Sequence, residues 1–249
     1  MVFLGETWTG LRDLVLPGTC AGCGTGGPGA LCAGCRTLLR GLRAHSVRPT
    51  PAPPGLPRCV ALGGYEGVLR ELLLAYKERG RHTLARTLGD LLGASVGAAV
   101  RANGAPRGTP LLLVPVPDTA AAARDRYGDH MLRLARRAAV RLNAAGWPTG
   151  LATPLTARPR TDSTHLDSAS RVQAAAMAFA PRPRELSRMA QVAGRGAVVV
   201  VLDDILTTGA TLTAAAARLR AAGIPVPVAV VLAATRRRTG PRSPGRVTG

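Results

Sequence analysis

The stretch VVVVLDDILTTGATL, from Val198 to Leu212, changes character three times within fifteen residues. A run of β-branched apolar residues meets two adjacent acids, then a cluster of threonine and glycine, and then a run of helix formers. The apolar run predicts a buried strand, and the residues after the turn predict a helix. In a parallel α/β sheet, ligands bind outside the carboxyl ends of the strands. The stretch therefore predicts a ligand site where this strand ends.

The turn between the predicted strand and helix is suited to an anion. The first amides of a helix lack intrahelical acceptors and lie at the positive end of the helix dipole. Gly209 permits close approach of the backbone, and the threonine hydroxyls add donors. A phosphate fits this turn, which leaves Asp203 and Asp204 to face a polyhydroxylated or metal-bound group. A phosphorylated sugar with vicinal hydroxyls satisfies both halves, while helix capping alone is the simpler alternative.

The composition indicates a basic protein. The 249 residues include 33 lysines and arginines against 14 acids, a formal net charge of +19, and Lys77 is the only lysine. Such a charge favours nucleic acid or phosphorylated metabolites as partners. A Walker-type nucleotide triphosphatase is excluded, because its G-x-x-x-x-G-K-[ST] loop needs a lysine that Lys77, in AYKERG, does not supply.

Two C-x-x-C pairs near the N-terminus predict a metal site. No apolar run reaches the roughly 20 residues that span a membrane, and the N-terminus lacks the pattern of a signal peptide, so we expect a cytoplasmic protein. In that reducing compartment clustered cysteines favour metal over disulfides. Four thiolates fill a tetrahedral Zn²⁺ shell, which makes the zinc structural, with two disulfides or an iron–sulfur cluster as alternatives. The ligands would be Cys20, Cys23, Cys32 and Cys35.

Strands that alternate with helices predict an α/β fold with a central parallel sheet flanked by helices. The predicted strands include 59–65, 111–117 and 151–157, and the predicted helices include two around Gly80 within 66–101 and one at 119–146. We divide the chain into four parts. These are a helix plus four-cysteine knuckle at 1–46, a proline-rich linker at 47–58, the α/β domain at 59–235 and a disordered basic tail at 236–249.

The stretch from Val198 to Leu212 resembles the motif with which type I phosphoribosyltransferases bind phosphoribosyl diphosphate (PRPP). Its four apolar residues, two acids and T-T-G-x-T are all present. The segment LLLVPVPDTAA at 111–121 is similar to a P-V-P loop of competence protein F (ComF) relatives, and a four-cysteine knuckle ahead of such a domain is the ComF arrangement. The resemblance covers nearly the whole chain to about residue 235. It implies a type I phosphoribosyltransferase fold with a small N-terminal zinc-binding knuckle.

The resemblance implies a role for each part of a PRPP site. Asp203 and Asp204 are expected to hold the ribose 2- and 3-hydroxyls, and Lys77 to contact a phosphate. The diphosphate of PRPP, bound with Mg²⁺, is expected at Asp118, Thr119 and Ala120. The 5-phosphate is expected to be wrapped by Thr207, Thr208, Gly209, Ala210 and Thr211.

A mobile arm of the family corresponds to residues 155–171, where Arg158, Arg160 and Arg171 would neutralise diphosphate as the glycosidic bond breaks. The family's R-G-F-N-Q segment is represented by residues 126–130, with two polar positions changed. Thr207 stands where purine-type members carry an acid, which argues against 6-oxopurine salvage.

Two functions follow from the resemblance. The first is transfer of phosphoribosyl from magnesium-bound PRPP to an acceptor that the sequence does not identify, with diphosphate release. The alternative is a non-catalytic adaptor for DNA uptake with a regulatory or vestigial PRPP site. ComF relatives are associated with competence and a helicase-like partner, and the basic charge would suit DNA.

Overall fold

The stretch that opens the sequence argument forms a strand and a helix, as its pattern predicts. The computed structural model describes residues 18–27, 29–125, 128–158 and 178–235. The predicted helix at 1–16 and the basic tail at 236–249 lie outside these residues, as do Arg160 and Arg171. Among the described helices, none combines the length and the apolar composition needed to cross a membrane.

Strands and helices alternate along most of the described chain. The strands are β1 His45–Val47, β2 Arg58–Gly64, β3 Leu111–Pro115, β4 Thr149–Leu151, β5 Leu155–Ala157, β6 Phe179–Pro181, β7 Val198–Leu206 and β8 Val228–Ala234. The α-helices are α1 Ala33–Gly41, α2 Gly67–Lys77, α3 Ala85–Ala102, α4 Ala120–Asp125, α5 His130–Ala144, α6 Pro183–Gly194 and α7 Ala210–Ala221, with a 3₁₀ turn at His82–Leu84.

Six strands form the central sheet in the order β1-β2-β8-β7-β3-β4. All neighbouring pairs are parallel except β1 with β2. The strand β7 lies between β8 and β3, so its backbone is hydrogen-bonded on both edges. Its residues 199–202 are all buried, which explains the unbroken apolar run, because strands covered on both faces do not alternate. The carboxyl ends of β3 and β7 therefore lie side by side.

Helices cover both faces of this sheet and form two cores. One core joins residues of α2, α3 and α5 to alternate residues of β7, such as Val200 and Leu202. The other joins residues of α6 and α7 to the intervening residues Val199 and Val201. Cys59, which lies just beyond the proline-rich segment, is buried in this second core.

The predicted strand at 151–157 is two strands in the structure. β4 ends at Leu151 and pairs with β3 in the central sheet, whereas β5 begins at Leu155 and pairs with β6 in a separate two-stranded sheet. The predicted helix at 119–146 is likewise divided into α4 and α5. The first division depends on pairing with β3 and with β6, which periodicity alone does not reveal.

The cysteine segment packs on the α/β domain. Cys20, Leu31 and Leu39 belong to the same buried cluster as Leu69 and Leu72 of α2. In addition, β1 pairs antiparallel with β2, so the sheet continues into the residues just before the proline-rich segment. The knuckle and the α/β domain therefore share one hydrophobic core.

Candidate functional site

Two acids lie near the carboxyl end of strand β7, and their environments differ. Asp203 is half-buried, and its Oδ1 accepts the backbone N–H of Asp204 at 2.9 Å. Asp204 is 5% exposed and points toward the face covered by α2 and α5, where Lys77 and His130 meet it. The two carboxylates thus lie at the same strand end with different partners.

The turn after β7 leads directly into α7. Gly209 takes a left-handed conformation with φ of +80°, which a residue with a side chain adopts at a cost. Gly209 is the cap residue of α7 and has no side chain to bond the first amides of the helix. The nearest side-chain contact is Thr208 Oγ1, which accepts the Ala210 N–H at 3.4 Å. Thr207 and Thr208 are exposed. The N-terminus of α7 therefore presents backbone donors and hydroxyls toward solvent.

Lys77, the only lysine, ends α2 beside Asp204. Its Nζ lies 2.6 Å from Asp204 Oδ2, with 21% of the lysine side chain and 7% of the aspartate side chain exposed. The resemblance assigns this lysine to a phosphate, but in the structure its ammonium pairs with the second acid of the motif. The role of Lys77 toward a ligand stays a prediction.

The loop after β3 contributes Asp118, which meets His130 at the start of α5. His130 Nδ1 contacts Asp118 Oδ2 closely, and the same oxygen accepts the backbone N–H of His130 at 3.1 Å. The other ring nitrogen, Nε2, lies 3.0 Å from Asp204 Oδ2. His130 therefore joins the loop after β3 to an acid within β7, the neighbouring strand.

Asp129 caps α5 and closes the β3 side of this arrangement. Its Oδ1 accepts the Leu132 N–H at 2.8 Å, and its Oδ2 accepts the Asp118 N–H at 3.3 Å. The Asp118 amide, expected to bind diphosphate, is thus engaged within the protein. Asp118, Asp129 and His130 together have a spacing that suits a cation. Since these three groups already bond to each other and to Leu132, we interpret them as a hydrogen-bonded network.

The charges of this network shift the pKa values of its members. Burial opposes protonation of His130, but Asp118 and Asp204 outweigh it and raise its pKa to about 9. Burial also opposes ionisation of Asp204, yet His130 and Lys77 hold its pKa well below the usual range. Burial and the Asp204 charge raise the pKa of Asp203. Asp204 is accordingly the permanently ionised acid of the pair.

The remaining predicted residues lie at three places. Thr119 and Ala120 begin α4, where Thr119 Oγ1 accepts the Ala122 N–H at 3.2 Å. Arg158 follows β5 in the small sheet and is exposed; its backbone N–H donates to Ala178 O at 2.8 Å. Within the described residues, the Arg158 side chain makes no contact with either acid. Arg160 lies outside the described residues.

Sequence reasoning missed the bridging role of His130. It noted the residue only as a departure from a resembled segment. The available signal was its spacing, because His130 lies four residues before the buried Leu134 and so falls on the apolar face of α5. Its partner Asp204 is 74 residues away, which no local pattern indicates.

The four cysteines form a candidate metal centre. Their sulfurs all lie within 4.8 Å of one another, and the Cys23 and Cys32 sulfurs are 3.7 Å apart. Tetrahedral zinc with bonds of about 2.3 Å would place its sulfurs about 3.8 Å apart, so the donor set fits Zn²⁺. All four are free thiols, which argues against the two-disulfide alternative.

Backbone amides donate hydrogen bonds to two of the sulfurs in this cluster. The Cys32 N–H donates to Cys20 Sγ at 3.3 Å, and the Cys35 N–H donates to Cys32 Sγ at 3.4 Å. Burial acts to raise the pKa of Cys20, but neighbouring amides, first that of Cys32, lower it to about 6. Thiolate is the form that binds metal.

Comparison with protein-family models and with curated proteins finds no match. Two solved structures are similar to this chain: an asparagine mutant and a glutamic acid mutant from an analysis of an invariant aspartic acid in HPRTs. Each is 18% identical to this chain, with a TM-score of 0.37. The similarity covers 64% of this chain, 70% of the asparagine mutant's chain and 72% of the glutamic acid mutant's chain. A likeness at this TM-score is too weak to assign a function.

Proposed function

We propose that this chain binds PRPP as its magnesium complex at the carboxyl ends of β3 and β7 and transfers the phosphoribosyl group to an acceptor. One observation carries the proposal: two carboxylates, each with an oxygen to spare, precede a helix N-terminus whose cap residue, Gly209, has no side chain to occupy the first amides. The carboxylates suit the vicinal hydroxyls of a ribose, and the helix terminus suits its 5-phosphate.

The two acids offer a pair of acceptors. Asp203 uses Oδ1 for the Asp204 amide, and Asp204 uses Oδ2 for both Lys77 and His130. Within the described residues, the other oxygen of each carboxylate makes no hydrogen bond. Because a carboxylate oxygen accepts hydrogen bonds, an unengaged oxygen on each of two consecutive acids suits the two neighbouring hydroxyl donors of a ribose.

The start of α7 offers the complementary donors. An anion at this position gains from the unpaired amides and from the helix dipole. Gly209 matters because its left-handed conformation directs the chain from the acids into the helix within one turn. The exposed hydroxyls of Thr207 and Thr208 can donate to the same anion. A ribose 5-phosphate is a ligand that engages both halves together.

In the proposed reaction, the bond between ribose C1 and the diphosphate oxygen breaks, and its electron pair leaves with diphosphate. The lone pair of the acceptor forms the new bond to C1 through an oxocarbenium-like state. Mg²⁺ that arrives with PRPP neutralises part of the leaving-group charge. The protein fixes the ring through Asp203 and Asp204 and the phosphate through α7, which orients C1 toward the acceptor.

The test is calorimetry with magnesium–PRPP on the wild type and on Asp203→Asn. This substitution keeps the shape of the half-buried acid but replaces one acceptor oxygen with an NH₂ donor. We expect at least tenfold weaker binding, about 1.4 kcal/mol or more. Asp90→Asn is the matched control, because Asp90 is a similarly accessible acid that pairs with Arg137 on α5, away from the strand ends. Equal affinity in the wild type and a folded Asp203→Asn variant would contradict the proposal.

A diphosphate-release assay over candidate amines and bases then tests transfer. Tight PRPP binding with no diphosphate release for any acceptor would favour the non-catalytic alternative. The absence of PRPP binding by the wild type would reject both.

We also propose that Cys20, Cys23, Cys32 and Cys35 hold one structural zinc ion. The sulfur separations and the amide donors around Cys20 and Cys32 support this assignment. Four thiolates leave no open coordination position, so the ion would stabilise the fold and take no part in transfer. Elemental analysis of protein purified without chelator should give one zinc per chain, whereas iron with visible absorbance would contradict it.

A further inference from the structure

We propose that His130 is a positioning residue that ties the loop after β3 to the end of β7 and fixes Asp204 for contact with ribose. The proposal rests on the proposed PRPP site and extends it to a residue that would not touch the ligand. His130 is 6% exposed, and both of its ring nitrogens are occupied by carboxylates of the protein.

The geometry makes His130 a bridge between the two strand ends. Asp118 follows β3, and its Oδ2 accepts hydrogen bonds from both Nδ1 and the backbone N–H of His130. Asp204 lies within β7, and its Oδ2 lies 3.0 Å from His130 Nε2. Since β3 and β7 are neighbours in the sheet, the ring spans the space between the segments that would hold diphosphate and ribose.

The two contacts require the doubly protonated ring. A neutral imidazole has one donor nitrogen and one acceptor nitrogen, so one of its nitrogens would face a carboxylate lone pair to lone pair. An imidazolium donates from both nitrogens and satisfies both acids. Lys77 extends the bridge to a row of four groups in which two negative charges balance two positive charges. The row is Asp118, His130, Asp204 and Lys77.

This bridge explains how Asp204 can serve a ligand while buried. Lys77 and His130 both bind Oδ2, so the carboxylate is held from one side and its second oxygen is oriented before a ligand arrives. A site that is already ordered loses less conformational entropy on binding. We therefore expect loss of the bridge to weaken PRPP binding through Asp204.

His130→Gln is the informative variant, because glutamine retains one hydrogen-bond donor group but cannot carry the charge that satisfies both acids. His45→Gln is the control: His45 is exposed on β1, and its Nδ1 lies 3.1 Å from the carbonyl oxygen of Arg43. At pH 7.5 we expect His130→Gln to bind magnesium–PRPP at least tenfold more weakly than the wild type and His45→Gln to bind like the wild type. Circular dichroism verifies folding.

The pH profile separates positioning from a general structural role. The folded pKa of His130 is raised, so the bridge is intact below its ordinary value of about 6.5 and is lost as pH rises through about 9. The wild-type affinity should therefore fall between pH 8 and about 10, and that of His130→Gln should stay weak and flat. The charged or titratable groups that face His130 or its partners are Asp118, Asp129, Asp203, Asp204, Lys77, Tyr76 and Arg133.

Nitrogen-15 NMR of the imidazole gives a readout that needs no ligand. One histidine, absent from the His130→Gln spectrum, should show both ring nitrogens protonated at pH 7.5. A neutral His130 at that pH, or wild-type affinity and pH profile in His130→Gln, would overturn the proposal. If that variant does not fold, Asp118→Asn tests the same bridge from the β3 side. If the wild type does not bind PRPP, the proposed function fails, and the NMR state still decides whether the bridge exists.

Discussion

Replacing Lys77 by methionine tests whether the Asp204 network stabilises the fold. Methionine keeps most of the apolar stem and removes the ammonium that lies 2.6 Å from Asp204 Oδ2. Removing one partner of a fully buried ion pair costs about 3–5 kcal/mol. The free-energy cost is smaller here, because 21% of the Lys77 side chain is exposed and because His130 still contacts Asp204 in the variant. We expect the free energy of unfolding to fall by about 2–3 kcal/mol at pH 7.

The assay is urea unfolding followed by circular dichroism, with Arg137→Met as the matched control. Arg137 makes a two-pronged pair with Asp90 at 2.8 and 3.0 Å, but both side chains are about one-third exposed. Exposed pairs contribute about 0–1 kcal/mol, so the control should lose no more than that. A Lys77→Met loss equal to that of the control would refute the argument that burial makes this pair important.

The free energy of unfolding at low pH provides a second check on the ion pair between Lys77 and Asp204. The pKa of Asp204 is lowered in the folded state, so its stabilising effect is present above the ordinary aspartate pKa of about 3.9 and is lost as pH falls through the folded value. The part of the difference in unfolding free energy between the wild type and Lys77→Met that arises from Asp204 should therefore be fully present at neutrality. It should shrink only in strong acid.

Two further predictions concern the turn at Gly209, between β7 and α7, and the four-cysteine knuckle. Gly209→Ala should lower stability by about 1–2 kcal/mol in thermal unfolding, because φ is +80° and the new Cβ would lie 3.0 Å from Leu56 Cδ1. It should also weaken PRPP binding, and Gly194→Ala, in open space at the end of α6, is its control. Cys23→Ser should reduce bound zinc from one per chain to a small fraction by elemental analysis, whereas Cys59→Ala should keep the metal. Retained zinc in Cys23→Ser would show that the ion lies elsewhere.

The sequence predicts the central part of the fold well because that part is governed by local rules. A fully buried strand reads as an unbroken apolar run, so β7 is evident, and Gly80 separates α2 from the helical segment that follows. The sequence alone places Asp203 and Asp204 near the carboxyl end of this strand, where they lie in the structure, and their role toward a ligand stays a prediction. The two cysteines of each C-x-x-C pair lie close together because they are only three residues apart in the sequence.

What the sequence does not predict depends on contacts between distant residues. The division of residues 151–157 between two sheets follows from pairing with β3 and with β6, and neither partner is marked in the local pattern. The same holds for Lys77, which is 127 residues from Asp204 and whose spacing predicts only a surface or phosphate-facing cation. The partners of a buried charge depend on tertiary geometry, so a motif identifies the acids and leaves their partners open.

The knuckle and the ligand site are connected through α2. At the start of α2, Val68 lies against Gly22, where an added Cβ would come within 2.8 Å of Val68 Cγ1. Just beyond its end, Arg81 donates to the carbonyl of Thr19 at 2.7 Å, next to the first cysteine. The cysteine segment therefore contacts the first turn of α2 and the residues just beyond its end, where Lys77 holds Asp204. A metal ion bound by the four cysteines would also restrict α2, and through Lys77 it would help to order the strand end without providing any group to the ligand.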